Sequence, residues 1–308
     1  MSVLRLALSA SMVVALATLA GRASAQPSAA DAALTASANA GDVGAMRSLG
    51  SAAVLAQKAA RIEAEAKRHE ADAIHWFRMA ADRGDSTAMH LMGVIYASRD
   101  ADDEGPLPAP TPVAAGQERF QLEDDDEDRS QDPNMQEAVR WFRLAAEKGN
   151  PRGMFALGVS YADGSGVAPN ADEAVRWLRR AAEQGDTDAM VNLGYYYARG
   201  GLIAKDNAES LRWYRLAAEQ GNAVAMFILG VKSHQGEGVP LSYAEAVKWE
   251  RMAADKGYAP AMLNLGHYYA RGEGVEKNQA EALRWYRLAA AGGSREAVEL
   301  LRQKGVSD

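Results

Sequence analysis

The chain has 308 residues, of which 48% are hydrophobic, with a formal net charge of -7 and no cysteine. This length and composition allow a large hydrophobic core. The missing thiol excludes disulfides as well as cysteine-based catalysis and metal binding, so the stability of the fold must come from packing.

The first 25 residues have the pattern of a secretory signal peptide. Arg5 supplies a positive start, residues 6–20 are almost all small or apolar, and the small residues up to Ala25 fit a cleavage site. The apolar run is shorter than the roughly 20 residues of a membrane-spanning helix, so an uncleaved anchor is the weaker alternative. We therefore expect cleavage after Ala25, no stable membrane insertion, and a mature protein that is periplasmic or secreted.

Residues 26–100 are predicted to form degenerate N-terminal repeats. The pair Ala45–Met46 recurs as Ala88–Met89, and residues 52–81 are rich in the good helix formers Ala, Glu, Lys and Arg. The first units of a repeat array are commonly atypical, because one side of the array faces water.

Residues 101–134 interrupt the repeat pattern. This insert has four prolines between positions 106 and 112, and its eleven acidic residues and two arginines give it a charge of -9. Low hydrophobicity and concentrated like charge predict disorder. The insert is either a solvated spacer or a mobile competitor for the arginines of a binding surface. Since the remaining chain is nearly neutral, the sequence predicts no nucleic-acid binding.

Regular repeats of 36 residues are predicted from residue 135 to residue 308, where a C-terminal cap ends the array. Each unit has a first helix with Ala-Met-x-x-Leu-Gly, a glycine-containing turn, and a second helix with a tryptophan followed by an Ala-Ala pair. Such a period predicts stacked helical hairpins. Glycine within a helix costs about 1 kcal/mol against alanine, so its recurrence predicts close helix crossings. The tryptophans are Trp141, Trp177, Trp213, Trp249 and Trp285.

This combination of motifs resembles the Sel1-like repeat family, a relative of the tetratricopeptide repeat, over most of residues 71–301 apart from the insert. The resemblance implies an all-α fold, namely an α/α solenoid formed by a right-handed superhelix of helix-turn-helix repeats. It also implies a non-enzymatic scaffold that binds a protein or peptide in its concave face and modulates an envelope complex or signalling system. One departure is Ser233, which stands where other units have tyrosine and is expected to loosen packing.

If the tetratricopeptide geometry holds, defined positions on the first helices line the concave face. The aromatic, arginine and histidine side chains at these positions are types enriched at protein interfaces. Two of these positions hold asparagine, and two interpretations of them stay open. Each side-chain amide can donate a hydrogen bond to the backbone of a partner or to local backbone groups. The predicted partner-binding residues are Arg152, Phe155, Asn192, Tyr195, Arg199, Phe227, His234, Asn264, His267 and Arg271.

The sequence predicts no catalytic residue, no cofactor and no metal site. His69 and His75 are six residues apart, whereas a zinc-peptidase helix needs histidines four apart. The acidic run lacks the glycine and the closing glutamate of a calcium loop. Two alternatives to the scaffold stay open, a hydrolase directed at the cell wall or at β-lactams and a self-associating structural protein. A cysteine-rich branch of the family has been linked to β-lactams, and the lack of cysteine prevents that link from carrying over.

Overall fold

The computed structural model describes residues 29–59, 63–98 and 129–305. Across these ranges the chain forms helices and no β-strand. None of the helices in the described ranges has the length and hydrophobicity that a membrane-spanning segment requires. The predicted signal peptide and residues 101–128 of the predicted insert lie outside the described residues.

Two compact units divide the chain, Met1–Trp177 and Leu178–Asp308. The first unit contains α1 (Ala29–Asn39), α2 (Val43–Ala59), α3 (Glu63–Ala81), α4 (Ser86–Ala97), a 3-10 turn (Arg129–Gln131), α5 (Pro133–Glu147) and α6 (Pro151–Asp163). Helix α7 (Ala171–Glu183) includes the division point. The second unit contains α8 (Thr187–Arg199), α9 (Asn207–Glu219), α10 (Ala223–Gln235), α11 (Tyr243–Asp255), α12 (Ala259–Arg271), α13 (Gln279–Ala291) and α14 (Arg295–Gln303).

Helices that follow one another in sequence pack against each other within each unit. In the second unit α8 packs on α9, α9 on α10, and so on to α14, while the first unit has the same order from α1 to α6. Each helix therefore buries its apolar face against its two sequence neighbours, as in an α/α solenoid. The predicted all-α solenoid fold is confirmed. At the C-terminal end of the second unit, Leu301 of α14 packs with Ala282 and Tyr286 of the last repeat.

Residues 129–134, the last part of the predicted insert, are described and include helical structure. Arg129–Gln131 form a 3-10 turn, and α5 begins at Pro133 rather than after residue 134. The Asp132 side chain accepts hydrogen bonds from the backbone amides of Asn134 and Met135. Proline at the first helical position already has the backbone angle that a helix needs. These two helix-start signals fix the beginning of α5.

The close helix crossings predicted from the repeated glycines are present. A Cβ atom on Gly194 of α8 would lie 2.7 Å from the ring of Tyr214 on α9. A Cβ atom on Gly266 of α12 would likewise overlap the ring of Tyr286 on α13. The side chain that occupies the space above the glycine is therefore the residue after the repeat tryptophan, not the tryptophan itself.

A glycine turn connects the two helices of a repeat. Gly272 ends α12 with a φ of 79°, in the left-handed region that favours glycine. Gly274 has a φ of 70°, and a Cβ there would overlap the backbone of Tyr243 at the start of α11. The turn thus requires glycine twice, once for its backbone angle and once for close contact with the preceding second helix.

Ser233 differs from its counterparts as the sequence analysis noted. Tyr161 and Tyr197 at the equivalent positions accept hydrogen bonds from arginines on the preceding second helices, at 2.9 and 2.5 Å, and Tyr269 does the same. The buried Ser233 hydroxyl instead donates to the carbonyl of Leu229 in its own helix, at 2.8 Å. This position therefore lacks the arginine–tyrosine bond that links two helices at the other three positions.

We expect Gly266→Ala to destabilise the second unit by about 1–3 kcal/mol, because the added methyl group overlaps the buried ring of Tyr286. The measurement is urea unfolding followed by circular dichroism. A double-mutant cycle with Tyr286→Ala provides the control, since removing the ring opens space for the methyl group. An equal effect of Gly266→Ala with and without the ring would contradict the contact argument.

Candidate partner-binding face

The first helices of the second unit lie next to one another in the order α8, α10, α12 and α14. The Asn222 side chain at the start of α10 donates to side-chain oxygens of Thr187 and Asp188 on α8, both at 3.1 Å. His267 of α12 lies 3.8 Å from Glu296 of α14. We call these four helices the first-helix row. Eight of the ten predicted binding residues lie on it.

Tyr195 is the most exposed aromatic side chain of this row, with 44% of its surface accessible. Arg199, one turn later on α8, donates from Nη1 to the Tyr195 hydroxyl at 2.5 Å, and its guanidinium carbon lies 5.9 Å from the ring centre. The two side chains hold each other through a hydrogen bond and a cation–π contact. They present a flat aromatic surface with a positive edge.

Phe227 and Tyr258 form a second aromatic group on the row. Their ring centres are 5.2 Å apart in an edge-to-face arrangement that joins α10 to the start of α12. Both side chains are partly exposed, and Val224 beside them on α10 is 39% exposed. Such an aromatic pair contributes about 0.5–1.5 kcal/mol beyond the area that it buries.

Tyr258 is a functional candidate that the sequence analysis missed. It occupies the N-cap position of α12 and makes no capping hydrogen bond with its side chain. The equivalent residues of other first helices cap with a side-chain oxygen, and they are Asp85, Asn150, Asp186, Asn222 and Ser294. Losing such a cap costs about 1 kcal/mol. Tyrosine at this position therefore lowers the stability of the helix and places an aromatic ring on the first-helix row. The sequence signal that could have identified Tyr258 is the tyrosine itself, because the equivalent positions of other repeats hold Asp, Asn or Ser.

His234 is enclosed within the row rather than projecting from it. Its Nδ1 atom lies 3.2 Å from the hydroxyl of Tyr268, and its ring centre is 5.2 Å from that of Tyr243. The imidazole therefore links α10 to α12 and to the start of α11. We assign it a positioning role for the surface around it.

His267 and Arg271 stand further along α12. The Nδ1 atom of His267 lies 3.1 Å from the Tyr286 hydroxyl, and the Arg271 side chain is 61% exposed beside Glu273. Burial lowers the pKa of His267 and Arg271 lowers it further, while Glu296 acts in the opposite direction. The lowered pKa favours the neutral imidazole of His267, and the charges beside it are those of Arg271, Glu273 and Glu296.

The two predicted asparagines donate within the protein. Asn192 donates to the carbonyl of Asp188, one turn earlier in α8, at 2.9 Å. Asn264 donates to the Oε1 atom of Glu250 on α11, also at 2.9 Å. For Asn192 this is the local backbone bond that the sequence left open. For Asn264 it is a bond to a buried carboxyl that the sequence analysis did not single out.

The remaining two predicted residues, Arg152 and Phe155, lie on α6 of the first unit and are half-buried. Burial lowers the pKa of His90 on α4 to about 4, and the positive charge of Arg152 contributes to this shift. Arg152 therefore places a positive charge near His90, and the His90 imidazole is neutral at pH 7. In the described parts of the chain, no cluster of three or more His, Cys, Asp or Glu residues is arranged to hold a metal ion.

Comparisons with known proteins give consistent results. The sequence profile described as Sel1 repeat matches residues 68–85, 128–150, 151–186, 187–222, 223–258 and 259–294, more than half of the chain. The chain is similar to a Sel1 repeat protein from Oxalobacter formigenes, with 27% identity, a TM-score of 0.68, and coverage of 95% of this chain and 75% of that one. No curated protein sequence matches the chain.

The chain is also similar to the protein c5321, a protective antigen of uropathogenic Escherichia coli strains that displays an SLR fold. The identity is 27% and the TM-score is 0.60. The similarity covers 86% of this chain and 49% of that one, so the chain spans about half the length of the antigen.

We expect the imidazole of His267 to titrate below its ordinary pKa of 6.5, because it is buried beside Arg271. Arg271→Gln should raise this pKa, since it removes a nearby positive charge. Glu296→Gln should lower it further, since it removes the stabilising negative charge. Nitrogen-15 NMR of the ring atoms as a function of pH measures all three values. Shifts in the same direction for both variants would contradict the charge arrangement described here.

Proposed function

Because the chain belongs to the Sel1 repeat family, whose members generally act as protein-interaction scaffolds, we propose that it is an exported, non-enzymatic scaffold. Its partner is a protein or peptide that binds to the first-helix row of the second unit. The complex that it modulates belongs to the cell envelope. The binding groups are the Tyr195–Arg199 pair and the Phe227–Tyr258 pair.

The single observation that carries the proposal is the aromatic side chain at the start of α12. With Tyr258 as its N-cap residue, α12 lacks the side-chain cap present at the equivalent positions of other repeats. Its ring packs on Phe227, which the fold does not require, because other repeats are built without such a pair. Local rules of this kind are broken mainly at functional sites, where another gain outweighs the lost stability.

The chemistry of the row suits an extended polypeptide with apolar side chains. Rigid aromatic rings and arginine are the side chains that contribute most to protein interfaces, and the rings bury large areas while losing little conformational entropy. Tyr195 and Phe227 supply such rings on two neighbouring helices, and Arg199 supplies hydrogen-bond donors at the edge. Backbone carbonyls or carboxylates of a partner fit these donors.

Export is part of the proposal. It rests on the positively charged start, the apolar run and the small residues before position 26. Cleavage after Ala25 would place the first-helix row in the periplasm or outside the cell, where a chain without cysteine folds without disulfide chemistry.

We expect a photo-crosslinking amino acid at position 195 to join the protein covalently to its partner in living cells. The same amino acid at position 252 is the matched control, because Met252 is similarly exposed at 38% but lies on the second helix α11. The crosslink should disappear when Phe227→Ala and Tyr258→Ala are added. Equal crosslinking at 195 and 252 would argue against the first-helix row.

Purified partner identified by that crosslink should bind at least about tenfold more weakly to Tyr195→Ala plus Phe227→Ala than to the unmodified protein, as expected for central interface residues. Isothermal titration calorimetry measures this difference, with Met252→Ala as the control. Turnover of muropeptides or of a chromogenic β-lactam by the pure protein would overturn the non-enzymatic assignment.

Export predicts that the protein purified from the periplasm or medium starts at Gln26. Intact mass spectrometry determines this end, and Ala25→Arg should retain the longer precursor, because a large charged residue blocks the cleavage site. Recovery of the uncleaved chain from the cytoplasm of the native cell would contradict export.

A further inference from the structure

The repeat matched at residues 223–258 has a carboxyl group where other repeats have an aromatic or aliphatic side chain. Glu250 follows Trp249, and its whole residue is 0% exposed. The residues that follow the other tryptophans are also buried, and they are Phe77, Phe142, Leu178, Tyr214 and Tyr286. Glu250 thus fills the space beside Gly230 of α10, the place that the residue after the tryptophan fills in other repeats.

The contacts of Glu250 connect three helices. A Cβ atom on Gly230 of α10 would lie 2.9 Å from its Cγ atom, so the side chain packs directly on α10. Its Oε1 atom accepts the hydrogen bond from Asn264 of α12. Its Oε2 atom is buried and has no hydrogen-bond partner. One of the two carboxylate oxygens would therefore be buried and unpaired if the group ionised.

No cation among the described residues lies within ion-pair distance of Glu250. On α10, the buried Lys232 is paired with Glu237 in the following turn, at 3.4 Å. The other titratable group there, His234, is hydrogen-bonded to Tyr268 of α12.

On α11 itself, Lys248 is paired with Glu245 and Arg251 donates to a tyrosine hydroxyl. The α12 side presents two tyrosines, Tyr258 and Tyr268, whose pKa values are raised by burial and further by negative charge on Glu250. None of these groups forms an ion pair with Glu250, so the burial of its carboxyl opposes ionisation without a compensating positive charge.

We propose that Glu250 is a pH-sensitive switch in this repeat. The protonated carboxyl holds α10, α11 and α12 together, and its ionisation loosens α11 from its two neighbours. Because α10 carries Phe227 and Tyr258 is the N-cap residue of α12, the same loosening separates the aromatic pair on the first-helix row. The loosening does not depend on a partner, and only its effect on partner binding rests on the proposed function.

The direction of the pH effect follows from the burial. The pKa of Glu250 is raised from 4.5 to about 8, because desolvation outweighs the hydrogen bond from Asn264, which acts in the opposite direction. The packed state therefore binds the proton more tightly than the opened state does. Its stability falls as the pH rises from about 4.5 to about 8 and is constant above that value.

The test is hydrogen exchange of backbone amides in α10, α11 and α12 at about pH 6 and about pH 8.5, corrected for the intrinsic exchange rate. We expect protection to fall by on the order of tenfold to a hundredfold over this interval. In Glu250→Gln, which keeps an acceptor for Asn264 and cannot ionise, protection should change by less than about threefold. Equal loss of protection in both proteins would overturn the switch.

Two further measurements keep the proposal testable if the glutamine variant does not fold. Glu250→Leu has the residue type of position 178 and should remove the pH dependence in the same way. Infrared spectroscopy of the unmodified protein should show a protonated carboxyl band that disappears near pH 8 and is absent from the leucine variant. Titration of that band below about pH 6 would overturn the proposal.

The effect on binding is measured separately with the partner identified by crosslinking. Affinity for the unmodified protein should decrease from about pH 6 to about pH 8.5, whereas affinity for Glu250→Gln should stay constant. If the pH-dependent exchange occurs and no partner binds to the row, the switch stands and the proposed function fails. If a partner binds with equal affinity at both pH values while exchange changes, the switch does not control binding.

Discussion

The contact between a glycine in a first helix and the residue that follows a repeat tryptophan determines how closely the helices pack, and it is present at Gly50, Gly93, Gly194, Gly230 and Gly266. At Gly194 and Gly266 the facing side chain is a tyrosine ring that leaves no room for a Cβ atom. Gly50 faces Phe77 and Gly93 faces Phe142 in the same manner. Since packing within the interior tolerates little change in volume, glycine and its facing side chain form one structural unit.

That constraint separates the residues that build the array from those that distinguish one repeat from another. The interior contact recurs with the period of the sequence, so it carries no information about a particular partner. The first-helix row shows the opposite behaviour, because the equivalent positions 195, 231 and 267, which are 36 residues apart, hold Tyr, Val and His. A surface that varies on a constant frame is how repeat proteins obtain specific recognition.

The fold was predictable from the sequence because its signals repeat. The period of the tryptophans, the glycine turns and the alanine pairs each indicated stacked helical hairpins, and the structure confirms them. The site was predictable only in part, because side-chain partners depend on contacts between helices that a single helix pattern does not contain. Asn264 was placed on the binding face by its helical phase, yet its amide bonds to Glu250. Tyr258 lay outside the helical positions considered and was missed for that reason.

Three departures from the pattern fall within residues 223–258. Ser233 lacks the arginine bond of its tyrosine counterparts, Glu250 replaces an apolar side chain, and Tyr258 gives up a helix cap. Repeats of equal length present nearly the same interfaces to both neighbours, which makes one repeat exchangeable for another. A chimaera that carries a second copy of residues 187–222 in this place would therefore keep the architecture and lose the local exceptions. This repeat can therefore change while the rest of the array keeps its packing, because its two neighbours present the same kind of interface to any repeat of this length.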